Sequence, residues 1–121
     1  RHAWDQAEDL TVSELTEIAT AHPSLRFVLS NWRRLEASEL VAARLKGRCL
    51  IDFARMQVLM TKEIPELIDQ LGVESIAFGS HMPFDYTGPS LVKLANLKKL
   101  AASDYERIAF RNAAEFFNLK V

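Results

Sequence analysis

The sequence predicts an α/β fold built on a parallel sheet. Three segments are rich in apolar and β-prone residues, and we expect them to form strands: Arg26–Ser30, Cys49–Ala54 and Ser75–Ser80. Segments with helical periodicity lie before, between and after them, and no hairpin signal joins any two. Because parallel strands need a crossover connection, usually a helix, this alternation is typical of βαβ units.

The start of the first helix has a local signal. Residues 1–9 are mostly polar and show no clear period, which predicts a loop. Thr11 and Glu14 then have the spacing of a capping box, in which a hydroxyl and a carboxylate each satisfy a free backbone amide. Apolar residues continue at helical spacing, so we expect a helix that begins after Thr11 and ends just before Pro23.

Two further helices are predicted between the strands. The second covers about 35–46, and Gly47 follows it as a natural terminating residue. The third covers about 61–71, with Pro65 tolerated because it falls near the first turn, and Gly72 ends it.

Two helices follow the third strand. Pro83 ends the strand because proline cannot donate to the ladder, and Pro89 suits the first turn of a helix that runs to about Ala101. We expect its inward-facing residues to be Val92, Leu97 and Leu100. Ser103 and Glu106 have the form of a second capping box, which predicts the start of the last helix. The apolar face of that helix comprises Ile108, Ala109, Ala113, Phe116 and Phe117.

The composition excludes several classes of function. The chain has 121 residues, 49% hydrophobic and 26% charged, with a net charge of −1, so it has no global attraction to nucleic acid or anionic membranes. No run approaches the ~18 apolar residues of a membrane span, and no signal peptide is recognisable. Cys49 is the single cysteine, which rules out an internal disulfide and favours a reducing, cytoplasmic location.

The third predicted strand ends in a histidine. If side chains alternate to its end, Ala77, Gly79 and His81 share a face that is nearly bare until it reaches the imidazole. In α/β proteins chemistry lies beyond the carboxyl ends of parallel strands, so His81 is the first candidate for a catalytic group. The alternative is a hydrogen-bonded structural histidine, which is common at a strand end.

Other polar residues follow the remaining strands. Asn31 and Arg55 lie at or beyond the ends of the first two, where they are candidates to bind a substrate carboxylate or carbonyl, or to brace a loop. His22 comes before its strand, at the opposite end of the sheet, where residues serve stability.

Two motifs in the last third of the chain resemble a known family. The run Phe-Gly-Ser-His-Met-Pro at 78–83 precedes Ile-x-x-x-Asn-Ala-x-x-Phe at 108–116. This pair is similar to the closing part of amidohydrolase-related proteins, a metal-dependent group that includes aminocarboxymuconate-semialdehyde decarboxylase-like enzymes. The family pattern carries a metal-binding, catalytic aspartate where this sequence has His81. A Gly-Ser-His-x-Pro version occurs among its relatives, so the resemblance is to that subgroup.

The resemblance implies the carboxyl-terminal part of a (β/α)8 barrel. Residues 1–121 would be one partial domain of three βα units and a terminal helix, beginning at Arg1 in the middle of the barrel. The implied activity is hydrolysis of C–N or C–O bonds, or decarboxylation of a small carboxylate, assisted by a divalent metal, with zinc expected. His81 and His2 would be ligands, and His81 a base. The family's His-x-His pair would lie upstream, so this chain alone does not complete a metal centre.

Two alternatives stay open at this point. One is a relative without metal, which uses His81 for acid–base chemistry on a small-molecule substrate. The other is a small α/β domain that binds a partner through its sheet edges and has no activity. An upstream strand with His-x-His favours the metal enzyme, and a start codon just before Arg1 favours the small domain. Open strand edges also predict that the isolated chain self-associates as a homo-oligomer.

Overall fold

In the part of the chain that the structure describes, three parallel strands form one sheet, as the alternating pattern predicts. The structure is a computed structural model, and it describes residues 10–30, 40, 44–54 and 63–121. Strands β1 (Phe27–Leu29), β2 (Cys49–Asp52) and β3 (Ile76–Ala77) lie side by side in the order β1-β2-β3. Both pairings are parallel, which confirms that prediction. The ladders are shorter than the predicted segments. The full barrel stays a prediction.

The first helix, α1, spans Val12–Ala21 and confirms the capping box. Thr11 Oγ1 accepts from the Glu14 amide at 3.2 Å, and Glu14 Oε2 accepts from the Thr11 amide at 2.7 Å. The Thr11 amide and hydroxyl both donate to Glu14 Oε2, and these two bonds lower the pKa of the Glu14 carboxyl because they favour its charged form. Leu15 and Ala19 face the core.

The second helix ends earlier than predicted. Leu40 is helical and fully buried, but Arg44 has a left-handed φ of 57° and the Leu45 amide donates to the Leu40 carbonyl at 3.1 Å. This pattern closes a helix before Lys46, so the predicted end at 46 is wrong. Gly47, with φ of 75°, lies in the following turn. Residues 31–39 and 41–43, which hold the rest of the predicted helix, lie outside the described residues.

The third helix, α2, spans Glu63–Leu71. Its core-facing residues are Ile64, Leu67 and Leu71, each at most 1% exposed. Pro65 is the third residue of the helix, where its missing amide has no intrahelical partner to lose, as expected. Gly72 follows with φ of 92°, a conformation that glycine adopts without a steric penalty.

The fourth helix, α3, differs from its prediction in length and in rotation. It spans Thr87–Asn96 and tightens into a 3₁₀ turn, Leu97–Lys99, so it does not reach Ala101 as a helix. Leu97 is buried, as predicted, but Val92 is 52% exposed and Lys93 takes the inward position. The face that packs on the core is therefore less apolar than the periodicity indicates.

The last helix, α4, begins one residue before the predicted capping box. It comprises Ala102–Glu106, a π-helical segment Arg107–Arg111, and Asn112–Phe116. No side chain caps its amino terminus, and Ser103 lies inside the first turn, so the second capping box is wrong. Phe117 lies beyond the helix and is 55% exposed, which removes it from the predicted apolar face.

The π-helical segment binds α4 to the edge of β3 that faces away from β2. The Asn112 amide donates to Arg107 instead of Ile108, and the Ile108 carbonyl accepts from the Phe78 amide at 2.8 Å. Asn112 Nδ2 also donates to the carbonyls of Val73 and Ile76, at 2.7 and 2.8 Å. Asn112, a residue of the second motif, is thus a structural link between α4 and β3.

The hydrophobic core lies between the helices and one face of the sheet. Strand residues that share this face include Ile51 and Ile76, both fully buried, and the Phe53 and Phe78 rings meet edge to face at 5.9 Å. Ala77 is buried but lies outside this cluster, on the opposite face. The predicted division of the third strand into a packed side and a small-residue side therefore holds for Ile76 and Ala77.

Candidate functional site

A tight turn places His81 and Asp85 together, just beyond the carboxyl end of β3. His81 has a left-handed φ of 57°, and its carbonyl accepts from the amides of Phe84 and Asp85, at 2.9 and 3.1 Å. The Met82–Pro83 peptide inside the turn is cis. Because β3 ends at Ala77, the turn orients His81, and the predicted strand alternation does not extend that far.

The imidazole of His81 is bound to a carboxylate. Its Nδ1 lies 2.9 Å from Asp85 Oδ2, and the side chains are 17% and 48% exposed, respectively. The Phe84 ring packs beside the imidazole with centroids 5.6 Å apart. A carboxylate accepting from Nδ1–H fixes the tautomer in which Nε2 keeps its lone pair. Such a nitrogen is suited to accept a proton or to ligate a metal.

Asp52, at the end of β2, fills the space that the sequence predicts to be bare. A Cβ atom on Gly79 would lie 2.7 Å from Asp52 Cβ and 2.8 Å from its Cγ, so the aspartate stands directly over the glycine. Asp52 Oδ1 also accepts from the Ala54 amide at 3.0 Å. The prediction of a nearly bare face is therefore wrong at Gly79, because the Asp52 side chain occupies that volume.

Lys93 reaches the same edge of the sheet from α3. Its side chain is buried, and Nζ donates to the carbonyls of Phe53 at 3.2 Å and Ala54 at 2.6 Å. Burial lowers the pKa of the Lys93 amine, while the carboxylates of Asp85 and Asp52 act in the opposite direction.

The residues proposed from sequence have different outcomes. The structure places His81 at the carboxyl edge of the sheet, with a carboxylate partner. Asn31, Arg55 and His2 lie outside the described residues, so their predicted roles stay predictions. His22 follows α1 and precedes β1, and its carbonyl accepts from Arg48 Nη2 at 2.8 Å, which agrees with a place at the opposite end.

His81 is the candidate ligand in this site for the metal that the resemblance implies. Within residues 10–30, 40, 44–54 and 63–121, no group of three or more His, Cys, Asp or Glu side chains could hold a metal ion. His81 offers Nε2, with Nδ1 oriented by Asp85 as is usual for a zinc-bound histidine. Zinc needs three or four protein ligands, so this imidazole fits as one ligand and does not form a centre.

The sequence patterns did not predict Asp52 and Lys93 as parts of the site, although the position of each residue is unusual for a charged side chain. Asp52 is the one charged residue in the apolar run Cys-Leu-Ile-Asp-Phe at 49–53, and a charge there needs a partner or a use. Lys93 lies three residues after Ser90 and four before Leu97, and all three are buried. Lysine side chains are rarely buried, so apolar periodicity predicts Val92 and not Lys93 for the inward position.

Comparisons of the chain with protein-family models, with curated proteins and with solved structures found no match. Among the helices that the structure describes, none has the length and apolar character required to cross a bilayer.

Proposed function

We propose that this chain is the carboxyl-terminal part of an amidohydrolase-like (β/α)8 enzyme. The proposed reaction is hydrolysis of a C–N or C–O bond, or decarboxylation of a small carboxylate. The observation that carries the proposal is the 2.9 Å contact between His81 Nδ1 and Asp85 Oδ2 beyond the carboxyl end of a parallel strand. That edge is where enzymes with parallel sheets place their reacting groups.

In hydrolysis, His81 acts as the general base and then as the general acid. Nε2 takes a proton from a water molecule as the water oxygen attacks the carbonyl carbon of the substrate. The Asp85 carboxylate, held against Nδ1–H, stabilises the imidazolium that forms. The imidazolium then returns its proton to the leaving nitrogen or oxygen as the bond to carbon breaks. Neutral His81 is regenerated.

The metal-assisted form of the reaction is the second candidate, and the same contact favours it. A histidine whose Nδ1–H is held by a carboxylate is the usual geometry of a zinc ligand. When bound, a divalent metal supplies a water of lowered pKa and polarises the substrate carbonyl. His81 would then hold the metal through Nε2, and Asp85 would orient the ring. The other ligands would come from outside the described residues.

Zinc binding and reporter hydrolysis separate the two forms. Zn²⁺ titration by calorimetry and hydrolysis of p-nitrophenyl acetate and p-nitroacetanilide are measured on the complete barrel that the proposal requires, for the wild type, His81→Ala and His81→Asp. His22→Ala is the matched control, because His22 is exposed at the other end of the sheet. The metal form predicts zinc binding that His81→Ala weakens and His81→Asp keeps in part, because carboxylate also ligates zinc. The metal-free form predicts hydrolysis that both substitutions reduce, without zinc.

A purely structural His81 gives a third result. Zinc binding and hydrolysis would then be the same in His81→Ala as in His22→Ala, while the melting temperature of His81→Ala alone falls. That result overturns the proposal and favours the partner-binding domain.

A further inference from the structure

The two sequence motifs meet at their first residues. Phe78 opens the first motif and Ile108 opens the second, and the Phe78 amide donates to the Ile108 carbonyl at 2.8 Å. Ile108 is fully buried, so this bond lies inside the molecule. The contact joins α4 to the segment of chain that leads from β3 to His81.

The Ile108 carbonyl can accept this bond because of the π-helical segment of α4. In a regular α-helix the Asn112 amide would donate to the carbonyl four residues earlier, which is that of Ile108. Here the Asn112 amide donates to Arg107, and the Ile108 carbonyl is left for Phe78. A π-helical turn inside an α-helix is rare, and such turns are frequent at functional sites.

The Asn112 side chain holds the same turn against the strand. Its Nδ2 donates to the carbonyls of Val73 and Ile76, at 2.7 and 2.8 Å, and its Oδ1 accepts from Arg107 Nη1 at 3.4 Å. Asn112 is only 3% exposed, so leaving its amide group without these partners would be costly. The bonds of Asn112 therefore fix the position of Ile108 relative to β3.

The residue that α4 binds leads directly to the candidate site. Phe78 is the first residue after β3 and lies three residues before His81. On the side of β2, its ring meets the Phe53 ring at 5.9 Å, and on the side of α4, the Ile108 carbonyl binds its amide. Three residues of chain span at most about 11 Å, so the place of the Phe78 amide limits where the imidazole can lie.

We propose that Asn112 is a positioning residue for His81. It holds the π-helical turn whose Ile108 carbonyl fixes the Phe78 amide, and so it sets the point at which the chain leaves β3 and turns toward the imidazole. This inference rests on the proposed function, since it concerns the same imidazole. Asn112 acts through Phe78, and it is not assigned a contact with substrate.

The test measures hydrogen exchange of individual amides by NMR. The amides of Phe84 and Asp85 report on the turn, because both donate to the His81 carbonyl. The variant is Asn112→Asp, which keeps the shape of the side chain and replaces the donor Nδ2 by an oxygen. Asn96→Asp is the matched control, because Asn96 is exposed at the end of α3.

In Asn112→Asp we expect the amides of Phe78, Phe84 and Asp85 to exchange at least tenfold faster than in Asn96→Asp and the wild type. This increase should exceed any increase in α1, because a residue that only stabilises the fold would change both regions equally through global unfolding. Equal increases in the turn and in α1, or wild-type rates in the turn, overturn the inference. If Asn112→Asp does not fold, Asn112→Ala removes the donor without adding a charge and is judged by the same comparison.

Kinetics of the complete barrel give a second measurement. A misplaced imidazole should lower kcat by up to about 10²-fold in Asn112→Asp, with KM unchanged because no contact with substrate is lost. An unchanged kcat in the folded variant also overturns the inference.

The His81→Ala variant keeps the two proposals apart. If hydrolysis is the same in His81→Ala as in the wild type, the proposed function fails, whatever the exchange rates of the turn. If His81→Ala abolishes hydrolysis and the turn does not respond to Asn112→Asp, only the positioning role of Asn112 fails.

Discussion

At each end of the sheet, a basic side chain donates hydrogen bonds to backbone carbonyls, but the two side chains have different surroundings. At the amino end, Arg48 makes four hydrogen bonds to the carbonyls of Ala19, His22 and Leu25, and so closes the end of α1. At the carboxyl end, Lys93 donates to two carbonyls beyond β2. Each cation donates hydrogen bonds to backbone carbonyls at or just beyond the end of a helix or strand.

The difference lies in what surrounds each cation. Arg48 packs over the Phe27 ring, 5.6 Å from its centroid, and its guanidinium donates to backbone carbonyls. Lys93 lies near the carboxylates of Asp52 and Asp85. Arg48 donates to backbone carbonyls, whereas the carboxylates near Lys93 oppose the lowering of its pKa by burial.

The largest effect is expected for His81→Ala on activity. Loss of the acid–base group should lower kcat/KM toward the ester or anilide reporter by ~10²–10⁴-fold. The melting temperature should change little, because His81 lies in a turn outside the core cluster. Steady-state kinetics and thermal unfolding measure the two effects. A lower melting temperature with unchanged activity per folded molecule would make the imidazole a structural brace.

The second effect is on stability, at the amino end. Arg48→Met leaves carbonyls at the end of α1 without their donor, and we expect a loss of about 2–3 kcal/mol in the free energy of unfolding. Urea denaturation measures the loss. The His81 tautomer should stay as in the wild type, and a changed tautomer in folded Arg48→Met would show that the two ends are coupled.

A smaller loss of stability is expected at the carboxyl end from Gly79→Ala. The new methyl group meets the Asp52 side chain at its base, so the strands must shift, at a cost of about 1–3 kcal/mol. Asp52→Gly in the same molecule removes the clash and should recover part of this. Gly88→Ala is the control, because nothing lies within 4 Å of the added methyl group. Equal unfolding free energies for Gly79→Ala and Gly88→Ala would contradict the close approach.

The smallest effect is a pH dependence of stability from Lys93. Its pKa in the folded protein lies below the ordinary value of 10.5, so the unfolded chain binds more protons between these two values. The contribution of Lys93 to stability therefore rises as the pH increases toward 10.5. Urea denaturation at several alkaline pH values should show a smaller rise in Lys93→Met than in Lys99→Met. Identical slopes would exclude a lowered pKa.

Sequence patterns predicted what depends on local periodicity and on backbone chemistry. Thr11 and Glu14 form their capping box because both partners lie within one turn. Gly72 ends α2 because a left-handed residue is needed there. Ser103 and Glu106 have the same spacing but do not form a capping box. Helix α4 begins at Ala102, so the serine lies inside the first turn and not at the capping position.

The candidate site was only partly predictable, because its parts are brought together by tertiary contacts. His81 was found from its place after an apolar strand, but its partner Asp85 depends on a turn whose geometry the sequence does not specify. Asp52 lies over Gly79 only because β2 and β3 are neighbours in register. Lys93 faces inward because its amine donates hydrogen bonds to two carbonyls beyond β2.

The π-helical segment of α4 has a consequence for how the sheet can grow. The Phe78 amide and the Ile76 carbonyl are already bound by Ile108 and Asn112, so α4 takes the place that a fourth strand would occupy beside β3. A strand arriving at this edge, whether from the rest of a barrel or from a second copy, must first displace the helix. The helix and such a strand would compete for the same backbone groups, the Phe78 amide and the Ile76 carbonyl. A second strand can therefore pair with β3 only after α4 has moved away from it.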